Sequence, residues 1–93
     1  MIPLDQYDDF TLYEVFYEAG TELGGALTAL EDIMLNRHDQ KSFEALQKEH
    51  NQINRDRMHV SKADRESQIR YIREWTDRRN AVRKEINARS STA

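Results

Sequence analysis

The sequence predicts an all-α protein, a small three-helix bundle with a long acidic first helix. Apolar residues recur at intervals of three and four in three successive segments, the spacing that places them on one face of a helix. Residues that favour helix N-termini stand where each segment begins. Only three glycines and one proline interrupt the 93 residues, too few for the many tight turns of a small β-sandwich or barrel.

The first helix is predicted over about residues 11–35. Thr11 and Glu14 fit a capping box, in which each side chain accepts a hydrogen bond from an otherwise unpaired backbone N–H group. The apolar pattern keeps its phase across Gly24 and Gly25, so we expect the helix to continue, although each glycine costs about 1 kcal/mol relative to alanine. Its apolar stripe consists of Phe16, Ala19, Leu23, Leu27, Leu30 and Met34. A neighbouring helix should approach closely at Gly20, Gly24 and Thr28.

Two further helices are predicted, over about residues 40–57 and 62–88. Asp39 is a favourable N-cap for the second helix, and Ser61 with Asp64 resembles a second capping box at the start of the third. The second helix has the weakest apolar face, and we expect it to cover one side of the first. The apolar face of the second helix consists of Phe43, Leu46, His50 and Ile53. The apolar face of the third helix consists of Ile69, Ile72, Trp75 or Thr76, Val82 and Ile86.

The composition of the chain argues against several classes of protein, among them disulfide-bonded, membrane-spanning and secreted proteins. The absence of cysteine excludes disulfides and sites that depend on a thiolate. No apolar run approaches the roughly 18 residues that a membrane span needs, and residues 1–5 lack the positive charge of a secretory signal. We therefore predict one domain over residues 1–93, with a flexible tail at 90–93, no membrane association and a cytoplasmic location.

Charge is divided unevenly along the chain. Residues 1–35 contain eight acids and no Lys or Arg, a net charge of −8, whereas residues 36–93 contain fourteen Lys and Arg against nine acids, a net charge of +5. Such asymmetry says more about partners than about fold. The acidic helix could lie against the basic ones within the chain, and that arrangement does not exclude a partner.

No pattern in the sequence indicates catalysis. His38, His50 and His59 do not form a metal-binding motif, and a metal site needs three or four converging ligands. Gly24 and Gly25 follow no strand and lie inside a helical pattern, so they do not form a phosphate-binding loop. We predict no enzyme activity, no catalytic residue, no bound metal and no cofactor.

The start of the first helix is rich in aromatic and acidic residues. Three of the four tyrosines and two of the three phenylalanines fall within residues 7–17, interleaved with acids. A single helical stripe cannot bury them all, and exposed aromatic residues make good anchors at protein interfaces. The alternative is that they only widen a thin core. We call the predicted partner-binding set the acidic aromatic face, which consists of Phe10, Tyr13, Glu14, Tyr17 and Glu18.

The third helix is rich in arginine and could contact nucleic acid phosphates. Acids interrupt its positive charge, no helix-turn-helix pattern accompanies it, and the isoelectric point of about 5.6 is far below that of a typical DNA-binding domain. We therefore expect a salt-bridged, solvated helix face and no nucleic acid partner. The basic residues are Arg65, Arg70, Arg73, Arg78, Arg79, Arg83, Lys84 and Arg89.

Several short segments carry a resemblance to a known family. They are residues 14–18 (EVFYE), 35–39 (LNRHD), 73–75 (REW) and 86–87 (IN). The order of these segments and the three-helix layout resemble those of the epsilon-type antitoxins, which are small helical proteins that neutralise zeta-type toxins. Those toxins are P-loop kinases of small metabolites. The resemblance covers nearly the whole chain from about residue 11.

The resemblance implies a mechanism. In that family the first helix of the antitoxin enters the nucleotide pocket of the toxin. Glu14 and Glu18 would then offer carboxylates where phosphates bind, in a pocket that Lys, Arg and a helix N-terminus make positive. Tyr13 and Tyr17 would occupy aromatic or sugar space beside them. The other two helices would be scaffold, and the chain would form a hetero-oligomer with its toxin.

Other functions remain open at this point. Related systems pair a secreted kinase-like effector with a helical chaperone or inhibitor, and the residues do not separate that role from an antitoxin. A self-assembling or regulatory bundle would dock its acidic helix on the basic third helix of a second copy. A nucleic acid binder would use the third helix.

Overall fold

A computed structural model describes residues 3–90 and confirms the predicted fold class. A single 3₁₀ turn at Leu4–Gln6 precedes the helices. Within the described residues no strand occurs, and no helix is apolar over enough of its length to cross a membrane. Of the tail predicted at 90–93, Ser90 is the last residue of the third helix, and residues 91–93 lie outside the described part. The helices are α1 (Asp9–Asn36), α2 (Gln40–His59) and α3 (Arg65–Ser90).

The N-terminus of α1 lies two residues before its predicted position, because Asp8 and not Thr11 is the N-cap. Asp8 Oδ1 accepts a hydrogen bond from the backbone N of Thr11 at 2.7 Å. Thr11 is thus the third residue of the helix, and the predicted capping box with Glu14 is wrong. The same hydrogen bond lowers the pKa of the Asp8 carboxyl, since it stabilises the charged form.

α3 also begins at an aspartate and not at the predicted serine. Asp64 Oδ1 accepts a hydrogen bond from the backbone N of Ser67 at 3.1 Å, which makes Asp64 the N-cap and Arg65 the first helical residue. Ser61 lies in the preceding turn, where its Oγ accepts a hydrogen bond from the backbone N of Ala63 at 3.1 Å. An ionised carboxylate is the stronger acceptor at the positive end of a helix, so Asp64 prevails over Ser61.

The turn between α1 and α2 ends one helix and caps the next. His38 N donates to Leu35 O at 3.0 Å and Asp39 N donates to Met34 O at 2.9 Å, the hydrogen-bond pattern of a Schellman motif. His38 occupies the left-handed position of that motif, with φ of 60°. Asp39 Oδ1 then accepts a hydrogen bond from Ser42 N at 3.1 Å, which confirms the predicted N-cap of α2.

α1 is the central helix of the fold. α2 runs antiparallel to it and α3 runs parallel to it, and both pack against α1. The molecule is therefore elongated and flat, with principal extents of 44 × 27 × 14 Å. The core, which includes most of the predicted stripes, consists of Leu12, Phe16, Leu23, Leu27, Leu30, Met34, Leu46, Ile53, Ile72, Trp75 and Val82.

Two glycines of α1 allow this close packing. A Cβ atom at Gly20 would lie 3.0 Å from Arg57 Cδ and 3.2 Å from Trp75 Cζ3, and one at Gly24 would lie 3.0 Å from His50 Nε2. These separations are tighter than ordinary van der Waals contacts between carbon atoms. The predicted close approach of a neighbouring helix is confirmed at both glycines.

Candidate protein-binding face

The acidic aromatic face is the open side of the first turns of α1. Arg57, near the C-terminal end of α2, donates a hydrogen bond to the carbonyl of Tyr17, so α2 covers α1 only from about Tyr17 onward. All five predicted residues line one open groove on this side, with a volume of about 860 Å³. The lining residues are Asp9, Phe10, Tyr13, Glu14, Tyr17, Glu18, Thr21 and Lys62.

The aromatic residues of this segment divide between core and surface. Phe16 is fully buried, whereas Phe10 is 73% exposed, Tyr17 is 48% exposed and Tyr13 is half-buried. A phenylalanine that is three-quarters exposed contributes little to the core of this chain. Widening of a thin core therefore does not account for Phe10 or for the outer part of Tyr17.

The ring of Tyr13 connects the exposed ring of Tyr17 to the buried ring of Phe16. The ring centroid of Tyr13 lies 6.1 Å from that of Tyr17 and 5.8 Å from that of Phe16. Phe16 stacks on Trp75 of α3, with a centroid separation of 5.3 Å. Aromatic pairs at these distances add roughly 0.5–1.5 kcal/mol to their burial energy. The face thus has a firm aromatic backing at Tyr13, which contacts a side chain that the core holds in place.

Two cations of the chain lie against the tyrosine rings. The guanidinium carbon of Arg57 lies 4.1 Å from the Tyr17 centroid, and the Nζ atom of Lys62 lies 5.6 Å from the Tyr13 centroid. Each cation–π contact at such an exposed site contributes about 0.5–1 kcal/mol. Arg57 also donates to Thr21 Oγ1 at 2.8 Å, which joins the end of α2 to the edge of the groove.

The carboxylates of α1 fall into two groups. Asp9 pairs with Arg65 and Glu22 pairs with Arg79, so part of the charge division is neutralised inside the fold. Glu31 contacts His50, with 3.3 Å between Oε2 and Nδ1. Both glutamates of the acidic aromatic face are exposed, and neither enters an ion pair within residues 3–90. The face is therefore one place where the negative charge of α1 remains available, and the exposed Asp32 near the C-terminal end of the helix is another.

Some of the arginines of α3 are committed to the fold. Arg78 Nε and Nη2 donate to the two carboxylate oxygens of Glu49 at 2.7 and 2.9 Å, a bidentate pair that links α3 to α2 and raises the pKa of the guanidinium. Arg79 pairs with Glu22 of α1. These two arginines, which the sequence grouped with a solvated basic face, hold the three helices together.

The histidines do not converge. His38 and His59 are exposed at helix ends, whereas His50 is half-buried with its Nδ1 atom 3.3 Å from Glu31 Oε2. Across residues 3–90 no three His, Cys, Asp or Glu side chains are grouped as metal ligands would be. The part of the chain that the structure describes thus offers the groove, and not a metal site, as its candidate site.

The prediction from the sequence did not include every residue that lines the groove. Asp9 and Thr21 belong to α1 and could have been included, since they lie one turn from Tyr13 and Tyr17 on the same side. Lys62 reaches the groove from the connection between α2 and α3, and Arg57 reaches it from α2. No local pattern signals such a contact, because it depends on how the helices pack.

Comparison with family models, curated proteins and solved structures finds no match to this chain.

Proposed function

We propose that this chain is a protein-binding inhibitor of the antitoxin kind, which inserts the N-terminal end of α1 into the nucleotide site of a kinase-type toxin or effector. The observation that carries the proposal is the acidic aromatic face itself. Exposed aromatic rings line one groove at one end of a helix, together with two carboxylates that form no ion pair among the described residues. Phe10 is largely exposed, and Glu14 and Glu18 form no ion pair within the described residues, so the fold of the chain does not account for this combination.

The aromatic part of the face favours a protein partner. Aromatic side chains bring a large contact area at a low cost in conformational entropy, and they dominate the energy of many protein interfaces. Phe10 and Tyr17 are exposed, and Tyr13 is fixed against the core. A surface with both accessible anchors and a rigid base loses little freedom on binding.

The acidic part of the face favours a positively charged pocket. Glu14 and Glu18 are four residues apart on one side of α1, about 6 Å along the helix axis at ~1.5 Å per residue. Phosphate sites of kinases consist of Lys, Arg and a helix N-terminus, all positive. Two carboxylates at this spacing offer a match for such a site, and the resemblance to epsilon-type antitoxins points to the same class of partner.

The shape of the molecule is compatible with insertion. The first turns of α1 extend beyond the body of α2 and are held on the other side by α3, through the ion pair of Asp9 with Arg65 and the stacking of Phe16 on Trp75. Within the described part of the chain, the groove on the exposed side of this helix end is lined by residues of α1 and by Lys62. α2 and the remainder of α3 serve as the scaffold that holds α1 in place.

Replacement of both glutamates tests the proposal. Glu14→Ala with Glu18→Ala should weaken binding to the partner, isolated by pull-down from the source cell, by at least tenfold in calorimetric titration. The reason is that truncation of one side of a desolvated charge pair costs about 2–5 kcal/mol, and about 1.4 kcal/mol corresponds to one decade. Exposed charges outside an interface contribute less than about 1 kcal/mol.

A matched control is available on α3. Glu74 and Asp77 are both exposed and lie three residues apart, so Glu74→Ala with Asp77→Ala removes the same charge away from the face. A pair at the far end of α1 would be less suitable, because Glu31 is only 8% exposed and pairs with His50. Equal losses of affinity in the two double variants would leave only general electrostatic attraction and would contradict the proposal.

A further inference from the structure

The groove of the acidic aromatic face already contains a cation. Lys62 lines it, with Nζ 5.6 Å from the ring centroid of Tyr13. Of the three acids that line the groove, Asp9 pairs with Arg65, and the two glutamates have no ion pair within the described residues. Among the described residues, Lys62 is thus the one Lys or Arg that lines this groove, which has an excess of negative charge.

The backbone around Lys62 is firmly held, although its side chain is exposed. Gln68 is fully buried, and its Nε2 atom donates to the carbonyl oxygens of Ser61 at 2.9 Å and of Lys62 at 3.1 Å. The backbone N of Asp64 donates to the same Ser61 carbonyl at 3.0 Å. The side chain of Lys62 can therefore leave the groove by rotation about its own bonds, without any movement of the connection between α2 and α3.

Arg57, the other cation at the groove, is held very differently. Its guanidinium donates to the Tyr17 carbonyl at 3.0 Å, to Thr21 Oγ1 at 2.8 Å and to Asn54 Oδ1 at 3.3 Å, and it lies over the Tyr17 ring. Removal of Arg57 would break contacts between α1 and α2. Of the two cations, Arg57 is part of the fold and Lys62 is replaceable.

We infer that an arginine side chain of the partner protein takes the place of Lys62 in this groove, so that Lys62 is a built-in competitor for the partner. This inference rests on the proposed function. The site consists of the carboxylates of Glu14 and Glu18, which complement a positive charge, and of the ring of Tyr13. Arginine fits it better than lysine, because its planar guanidinium stacks on aromatic rings, pairs with carboxylates through two hydrogen bonds and is more weakly hydrated.

The test uses the whole chain and a short capped peptide of alternating glycine and arginine, at low salt. Lys62→Gln should bind the peptide about threefold more tightly than the unmodified chain, the factor that corresponds to the loss of one exposed cation–π contact. Lys41→Gln is the matched control, because Lys41 is exposed at the start of α2, at the opposite end of the molecule. In the unmodified chain, saturation with peptide should abolish the nuclear Overhauser effect between Lys62 side-chain protons and the Tyr13 ring.

Tighter binding by Lys62→Gln with no change in Lys41→Gln supports the inference. Equal or weaker binding by Lys62→Gln overturns it, and the proposed function then still stands if Glu14→Gln with Glu18→Gln abolishes binding of the peptide. If this double variant binds the peptide as tightly as the unmodified chain, the groove is not a site for cations. In that case both the inference and the proposed function fail.

Discussion

His38 is the one non-glycine residue with a positive φ among residues 3–90. Its φ of 60° places it in the left-handed region, at the position of the Schellman motif where glycine is the usual residue. A residue with a Cβ atom loses roughly 1–2 kcal/mol in this conformation. The turn keeps its geometry because Met34 and Leu35 both accept hydrogen bonds from it.

His38→Gly should therefore stabilise the protein. Relief of the left-handed strain exceeds the extra entropy that glycine loses on folding, which is about 0.5–1 kcal/mol, so we expect a net gain of roughly 0.5–1 kcal/mol. Urea unfolding followed by circular dichroism measures the free energy of unfolding. The slope of this free energy against urea concentration should not change. A loss of stability in this variant would mean that the imidazole makes a stabilising contact.

Gly24 and Gly25 differ in what surrounds them, although they are neighbours in the same helix. A Cβ atom at Gly25 would have no atom within 4 Å, whereas one at Gly24 would lie 3.0 Å from His50 Nε2. Gly24 thus permits the packing of α2 on α1. Gly25 lies on the exposed side of α1, and no contact within the described residues requires it.

Gly25→Ala and Gly24→Ala form a matched pair for thermal or urea unfolding. Gly25→Ala should raise the free energy of unfolding by about 1 kcal/mol, the difference in helix propensity between the two residues. Gly24→Ala gains the same propensity but must displace His50, whose ring contacts Glu31, so its stability should be lower than that of Gly25→Ala. Equal gains from the two substitutions would contradict the packing of α2 described above.

Helix positions were predictable because their signals are local. The apolar stripes and the N-cap at Asp39 depend on residues a few positions apart, and both are confirmed. The starts of α1 and α3 were misplaced by two and three residues, because Asp8 and Asp64 compete with nearby hydroxyl residues for the same role. The prediction placed the N-caps at hydroxyl residues that complete a capping box. In the structure the ionised carboxylate of a nearby aspartate is the N-cap.

Long-range contacts were not predictable from the same patterns. Gln68 is a fully buried polar residue within an apolar face, and nothing in the helical periodicity of α3 indicates that it holds the carbonyls of Ser61 and Lys62. Likewise, the pairing of Arg78 with Glu49 required the relative position of two helices. The acidic aromatic face was predictable as a set, since it lies within three turns of one helix, but the cations around it were not.

The molecule as a whole separates its scaffold from its proposed binding end. Ion pairs of Arg65, Arg78 and Arg79 join the three helices, and the buried rings of Phe16 and Trp75 support the open face from below. Within the face, Phe10, Glu14 and Glu18 are exposed and contribute little to this framework. Substitutions there should leave the helical circular dichroism spectrum unchanged, which allows binding to be measured independently of folding.

Competition between this chain and nucleotide for the partner tests the central claim most directly. If α1 enters the nucleotide site, saturating ATP must lower the apparent affinity of the chain for its partner, since the two cannot be bound together. The measurement is a calorimetric titration of partner with chain, with and without excess ATP at constant magnesium and ionic strength. Insertion of α1 into the nucleotide site predicts an affinity that falls in proportion to ATP concentration. An affinity that does not depend on ATP, or a complex that contains both ligands, would contradict it.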